Sequence, residues 1–333
     1  MDTSALHVVA ETLVAAGKGI LAADESTGTI AKRLAEVEVE STPDIRRAYR
    51  ELLFSAPAID AAISGVILYD ETLRQSAADG TAFPRLLDRR GIIPGIKVDA
   101  GTVALAGFPG ETITEGLDGL RRRLEEYRTL GARFAKWRAV LTVGGERPTA
   151  GAIAANAHAL ARYAALCQEA GLLPIVEPEV LMDGGHDLAR HGEATAATLR
   201  AVFAHLREQR VALEAILLKA NMVLPGSTSG QADDVDAVAD ATLSCLRREV
   251  PAAVPGIVFL SGGQSPEQAT RHLDALNRRG PQPWPLSFSF GRALQEPVLT
   301  AWRGNRSNAP IAQQRLLERV RANRAARSGT WTR

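Results

Sequence analysis

Lys219 stands in Ala215-Ile-Leu-Leu-Lys-Ala-Asn221, at the end of near-continuous hydrocarbon. Removing an ammonium from water favours its neutral form, and a neutral amine attacks carbonyl carbon to form a Schiff base. Carbonyl chemistry is therefore the first reading of this chain. Other polar groups fall at or just past the ends of short apolar runs in the same way. Asp24-Glu25-Ser26 follows the run at 19–23, Lys97 and Asp99 end the run at 93–98, and Lys136 and Arg138 lie two apart within 132–140. Glu177 and Glu179 are also two apart, so in extended chain both carboxylates point to one side. Ser261-Gly262-Gly263 follows the run at 256–260, and Ser289, Gly291 and Arg292 end the run at 286–290. Singly, each has a plainer reading: a solvated rim charge, a helix N-cap for Asp24-Glu25-Ser26, or a turn for Gly262-Gly263. Their coincidence at one kind of position points to a site.

The elements that must hold these groups are legible in outline. With 65–69, 173–177 and 213–219 the β-like runs number eight, and all except the second end in a polar group. Segments with helical spacing separate them, at 153–169, 194–209, 235–248 and 266–277, several followed by a glycine stop (Gly131, Gly171, Gly280). Strand and helix in alternation imply parallel strands, and eight such units close into a single (β/α)8 TIM barrel whose chemistry sits at the strand C-termini. The rival open sheet would want a G-x-G-x-x-G turn, which is absent, as is a Walker-type loop. One domain over 1–333 is expected, with an amphipathic helix at 311–327 and a short flexible tail at 326–333.

Composition limits the partners. The 39 basic and 38 acidic residues are interspersed and leave a net charge of +1, so no global field recruits nucleic acid or a membrane surface. No apolar stretch approaches the ~18 to 20 residues of a spanning helix and no leader-like segment opens the chain, so a soluble cytoplasmic protein is expected. Cys167 and Cys245 read as buried free thiols. His186 and His191, with Asp187 between them, invite a metal site, but their spacing matches no ligand pattern and they read as structural loop histidines.

Seven strings, from Gly17-Lys-Gly-Ile-Leu-Ala-Ala-Asp-Glu-Ser-Thr-Gly-Thr-Ile-Ala-Lys-Arg33 through Gly95-Ile-Lys-Val-Asp99, Phe134-Ala-Lys-Trp-Arg138, Val176-Glu-Pro-Glu-Val180, Leu217-Leu-Lys-Ala-Asn-Met-Val223 and Phe259-Leu-Ser-Gly-Gly-Gln264 to Phe288-Ser-Phe-Gly-Arg-Ala-Leu294, closely resemble class I fructose-bisphosphate aldolases. The match runs in order and register to about residue 325. The resemblance implies reversible cleavage of fructose 1,6-bisphosphate into dihydroxyacetone phosphate and glyceraldehyde 3-phosphate, with no metal and no cofactor. It places the Schiff base on Lys219 and a supporting cation on Lys136. Glu177 matches the acid/base of carbinolamine dehydration, Glu179 its companion carboxylate, and Asp24 the group that helps take the C4 hydroxyl proton. For the C1 phosphate it implies Arg292 with Ser261, Gly262 and Gly263, beside Ser289 and Gly291. For the C6 phosphate it implies Ser26, Thr29 and Lys97 with Arg33 near, and Arg138 matches a substrate-contacting arginine. A cytoplasmic homotetramer is the family's usual assembly.

Three departures stand out. Ala220 replaces the usual Pro after the nucleophile, and Phe290 replaces the common Tyr before Gly-Arg. The sequence ends at Thr330-Trp-Thr-Arg333, without the longer tail whose terminal Tyr assists proton exchange in many members. Glu177, Glu179 or the substrate phosphate must then move that proton, or the Trp331 region only shields the site. A transaldolase-like enzyme and a catalytically inert binding relative are the alternatives. The paired phosphate motifs argue against the first, and the presence of Lys219, Asp24 and Glu177 against the second.

Overall fold

The computed structural model describes residues 3–332. The expected domain limits at 1 and 333 lie outside these residues. Eight strands form a closed parallel barrel: β1 (Gly19–Ala23), β2 (Ile63–Leu68), β3 (Ile93–Lys97), β6 (Phe134–Leu141), β7 (Leu173–Val180), β8 (Leu217–Ala220), β9 (Ile257–Phe259) and β10 (Leu286–Phe290), with β1 pairing both β2 and β10. The remaining strands, β4 (Gly101–Ala104) and β5 (Thr112–Glu115), make an antiparallel hairpin between β3 and β6 that sequence pattern alone did not suggest. It is bound to the end of β6, Thr114 Oγ1 donating to the Arg138 carbonyl at 2.8 Å. Two runs differ from the observed strands by three residues or more. The fifth run continues to Val180, and the first part of the sixth, Leu213–Ala215, is a 3-10 turn with the strand starting at Leu217.

Six of the eight barrel strands are buried from end to end, and β3 and β6 are partly exposed only at Ile93, Lys97, Arg138 and Val140, as expected of a parallel sheet covered on its outside by helices. Inside the barrel, Ile20, Ile67, Phe134, Ile175, Leu217 and Val258 pack with Leu6, Ala10 and Leu13 of the helix Ser4–Leu13, which plugs the N-terminal end. Phe134 fits because Gly95 faces it: a Cβ there would lie 2.2 Å from the ring. Outside, the helices cover a larger apolar layer that includes both cysteines, each buried and free. The helix Ala150–Glu169 ends as anticipated, Gly171 taking φ 71° and its N–H reaching the Gln168 carbonyl.

The C-terminal helix spans Ala309–Arg327 and buries Ala312, Leu316, Val320 and Ala326 on one stripe. Beyond it the Trp331 N–H donates to Asp274 Oδ1 at 2.8 Å, and its carbonyl accepts from Arg278 Nη2 at 2.8 Å. Those partners lie in the last turns of the helix Pro266–Arg278, whose first turn follows the C-terminal end of β9. Arg327 likewise reaches the Val14 carbonyl, just ahead of β1. The last described residues thus lie near the strand N-termini. The idea that the Trp331 region shields the strand C-terminal rim is corrected by this geometry: a 13-residue helix separates the two ends by about 20 Å.

Candidate active site

At the C-terminal mouth of the barrel lies a cavity of about 530 Å³. Every residue that the resemblance assigns to catalysis or phosphate binding lines it. β1 and the turn after it bring Asp24, Ser26, Thr29 and Arg33; β3 brings Lys97; β6 brings Lys136 and Arg138; β7 brings Glu177 and Glu179; and β8 brings Lys219. Ser261, Gly262 and Gly263 arrive from the turn after β9, and Ser289, Gly291 and Arg292 from the end of β10. Alternation explains the inward charges: Lys136 and Arg138, and Glu177 and Glu179, occupy the cavity-facing positions of their strands.

At the floor the charges form a chain. Lys219 Nζ is 3.0 Å from Glu177 Oε1, Glu177 Oε2 is 3.2 Å from Lys136 Nζ, and Lys136 Nζ is 2.6 Å from Asp24 Oδ2. Lys136, Glu177 and Lys219 are all buried, so each carboxylate meets at least one ammonium instead of water. Burial pushes the Asp24 carboxyl up, but the ammoniums of Lys136, Lys219 and Lys97 outweigh it and hold the group well below the usual carboxylate range. Glu177 follows the same balance, burial raising it and Lys136, Lys219 and Arg138 bringing it below its ordinary value. Burial would lower Lys136, yet Asp24, Glu177 and Asp99 raise it above the ordinary lysine range. Asp24 and Glu177 are thus carboxylates and Lys136 an ammonium near neutral pH. The set can accept and return protons beside an amine.

The rim carries groups suited to an anion. Gly262 and Gly263 both have positive φ, 51° and 89°, which only glycine adopts without strain, and neither N–H has a hydrogen-bond partner among the described residues. Arg292, exposed at the start of the helix Arg292–Trp302, makes no ion pair with a described carboxylate. It stands beside Gly263, its Nη2 3.7 Å from where a Cβ would be. Two N–H groups and a free guanidinium suit a phosphate. Opposite them, Lys97 Nζ is 2.6 Å from Asp99 Oδ1, and Arg138 Nε donates to Glu179 Oε2. The buried Ser289 hydroxyl has no protein partner among the described residues. Ser26 also caps the helix Thr27–Ala35, accepting from the Thr29 N–H at 3.3 Å, so the plain N-cap reading holds alongside the site reading.

Several contributors were not singled out. Tyr69, just after β2, lines the cavity, so the second strand is not silent at the rim, and Gly101 and Thr102 of the hairpin line it too. Glu25 also lines the cavity, but its carboxylate pairs with groups other than the floor lysines: Arg33 donates to it, with Arg50 Nη2 at 2.7 Å and Gln295 Nε2 at 2.8 Å. Arg50 and Gln295 lie inside helices, where nothing in the local pattern marks them. Asp99 was visible at a run end, and its role as the counter-charge of Lys97 appears only in space.

His186 and His191 stack at 5.1 Å, away from the cavity. Asp187 caps the helix Leu188–Glu208, accepting the Arg190 N–H at 2.8 Å. His191 accepts the Leu224 N–H at Nδ1, and burial pushes it down to about 4, as for a neutral structural histidine.

The chain is similar to known proteins of one family. The family model described as fructose-bisphosphate aldolase class-I, of the glycolytic group, matches residues 5–333. A protein of Xylella fastidiosa named "Probable fructose-bisphosphate aldolase class 1" is 55% identical over 332 residues, 99% of each chain. "Fructose-bisphosphate aldolase 6, cytosolic" of Arabidopsis thaliana is 54% identical over 95% of this chain and 88% of its own. The solved fructose-bisphosphate aldolase of Plasmodium falciparum, in a ternary complex with TRAP and a small-molecule inhibitor, superposes with a TM-score of 0.98 at 46% identity, covering 99% of this chain and 96% of that one. With the full barrel and near-complete coverage in all three comparisons, the chain belongs to the class I fructose-bisphosphate aldolases, enzymes of the aldehyde-lyase class.

Proposed function

We propose that this chain cleaves fructose 1,6-bisphosphate reversibly to dihydroxyacetone phosphate and glyceraldehyde 3-phosphate through an imine on Lys219. The observation that carries the reading is the charge chain at the floor, Lys219 to Glu177 at 3.0 Å, Glu177 to Lys136 at 3.2 Å and Lys136 to Asp24 at 2.6 Å. Lys219 passes two protons to Glu177 in turn, one as its ammonium becomes the amine that adds to the C2 carbonyl and one after addition. Glu177 delivers both to the carbinolamine oxygen, which leaves as water and leaves the iminium. Asp24 takes the C4 hydroxyl proton while the C3–C4 bond breaks and its electron pair passes to the iminium nitrogen. The aldehyde departs, and the enamine left on Lys219 is protonated at C3 and hydrolysed. Lys136 stays charged throughout and stabilises whichever carboxylate is ionised. Glu179, paired with Arg138 in the same cavity, or Glu177 or the substrate phosphate, moves the proton at C3 in this reading.

Arg292 with Ser261, Gly262, Gly263, Ser289 and Gly291 receives the C1 phosphate in this reading; Lys97, Ser26, Thr29, Arg33 and Arg138 receive the C6 phosphate. Lining of one cavity by both sets supports a substrate with a phosphate at each end. The iminium is itself the electron sink, so the reaction calls for no metal. Expected from the same resemblance are a homotetramer, measurable by sedimentation, and a cytoplasmic place; no helix among the described residues is long and apolar enough to cross a membrane.

Borohydride added with dihydroxyacetone phosphate tests the central step, because reduction of the iminium fixes the substrate as a secondary amine. Peptide mapping should find the adduct on Lys219. A label on Lys136 or Lys97 would overturn the role assignment, and activity lost to chelator and restored by zinc would overturn the metal-free reading.

A further inference from the structure

Beneath the Ser261-Gly262-Gly263 turn lies a polar chain that the reaction does not use. Gln264 is 1% exposed and His272, on the helix Pro266–Arg278, is fully buried. The Gln264 Nε2 donates to the Ser261 carbonyl at 3.0 Å and also reaches Met222 Sδ at 3.7 Å, three residues beyond Lys219. Its Oε1 is 2.6 Å from His272 Nδ1. Since the amide must turn its NH2 group to Ser261, its oxygen faces the imidazole, and Nδ1 carries a proton toward it. On the far side Asp233 Oδ1 lies 3.0 Å from His272 Nε2, while Arg271 holds the other oxygen of Asp233 at 2.9 Å.

We propose that His272 is a positioning residue: by donating to Gln264 it fixes the amide that clasps the Ser261 carbonyl, and so aims the Gly262 and Gly263 N–H groups into the cavity. The inference rests on the reading of that turn as the C1-phosphate site. Its physical ground is the cost of burial. Two polar side chains buried to this depth would destabilise the fold unless paired, and apolar residues would fill the space without that risk. What the polar pair adds is direction. The two glycines sit in a conformation with little side-chain restraint of their own, and the Ser261 carbonyl, held by both the Gln264 N–H and its side chain, is the anchor immediately before them.

The test compares fructose 1,6-bisphosphate with fructose 6-phosphate, a ketose lacking the C1 phosphate. His272→Leu should raise KM for the bisphosphate about 3- to 10-fold, the range of one hydrogen bond, with kcat within about threefold and the 6-phosphate unaffected. His272→Asn, whose amide nitrogen takes the place of Nδ1, should restore KM to within about twofold, whereas His272→Gln, whose nitrogen falls near Nε2, should not. If His272→Leu does not fold, the Asn and Gln variants decide by themselves, and equal KM for the two overturns the proposal. Equal losses on both substrates would mean general damage and also overturn it. Arg292→Ala separates the two readings. If it weakens the bisphosphate and His272→Leu does not, the positioning role alone falls; if neither changes KM, the phosphate site falls with it.

Discussion

Glu177 stands between two lysines, its Oε1 3.0 Å from Lys219 Nζ and its Oε2 3.2 Å from Lys136 Nζ. One carboxylate can therefore exchange protons with the Lys219 side chain while its other oxygen stays beside a second cation. Glu177→Gln keeps the shape but removes the charge and the proton acceptor, and turns an NH2 donor toward one of the two lysines. Turnover should fall by about 10²- to 10⁴-fold, the usual weight of a general acid/base. Stopped-flow measurement of imine formation would locate the loss; an unchanged rate at that step would move the role to another group.

Lys136 neutralises two buried carboxylates, Asp24 and Glu177. Lys136→Met should cost about 3 to 5 kcal/mol of stability, because both are then left short of a counter-charge. Chemical denaturation at neutral pH measures it, and a loss under ~1 kcal/mol would contradict the pairing.

The same pairs set the pH range of stability. Asp24 and Glu177 are depressed in the folded state, so their contribution is complete above the ordinary carboxylate range of about 4 and is lost as pH falls through the folded values. Lys136 is raised, so its contribution is complete below about 10.4 and is lost as pH climbs through its folded value. Thermal midpoints should hold a plateau between those limits and fall on both sides. In Asp24→Asn the acid-side fall should be shallower, which a pH series of melting curves reads directly.

Arg292 is the rim cation without a carboxylate partner among the described residues. Arg292→Ala should weaken binding of the bisphosphate about 10- to 150-fold, the worth of a charge-assisted contact. Steady-state kinetics would show it in KM, and an unchanged KM would remove Arg292 from the phosphate site.

Deleting residues 328–333 should change kcat by less than about threefold, or below ~1 kcal/mol of barrier. Trp331 is tied to Asp274 and Arg278, at the end of their helix remote from the cavity. A tenfold loss with circular dichroism unchanged would assign the tail a catalytic part; a small drop in melting temperature is the expected cost of those two bonds.

Much of this enzyme was readable from its chain. Strand periodicity is two, so Lys136 with Arg138 and Glu177 with Glu179 had to share a face, and eight apolar runs each followed by a helix had to close with those faces at one mouth. Lys219, alone among hydrocarbon, announced an amine worth burying. The hairpin Gly101–Glu115 escaped notice because its strands are short and mostly exposed, with little apolar alternation to mark them.

Which charge meets which was decided only in three dimensions. Glu25 and Asp24 are neighbours in sequence, yet Asp24 joins Lys136 at the floor while Glu25 pairs with Arg33, Arg50 and Gln295. Gln295 is 270 residues from Glu25, and His272 reaches Asp233 across 39 residues and two elements. The direction of a side chain follows from local backbone geometry and is written in spacing. Its partner depends on barrel closure, strand register and the seating of each helix, and those are set by the packing of the whole core.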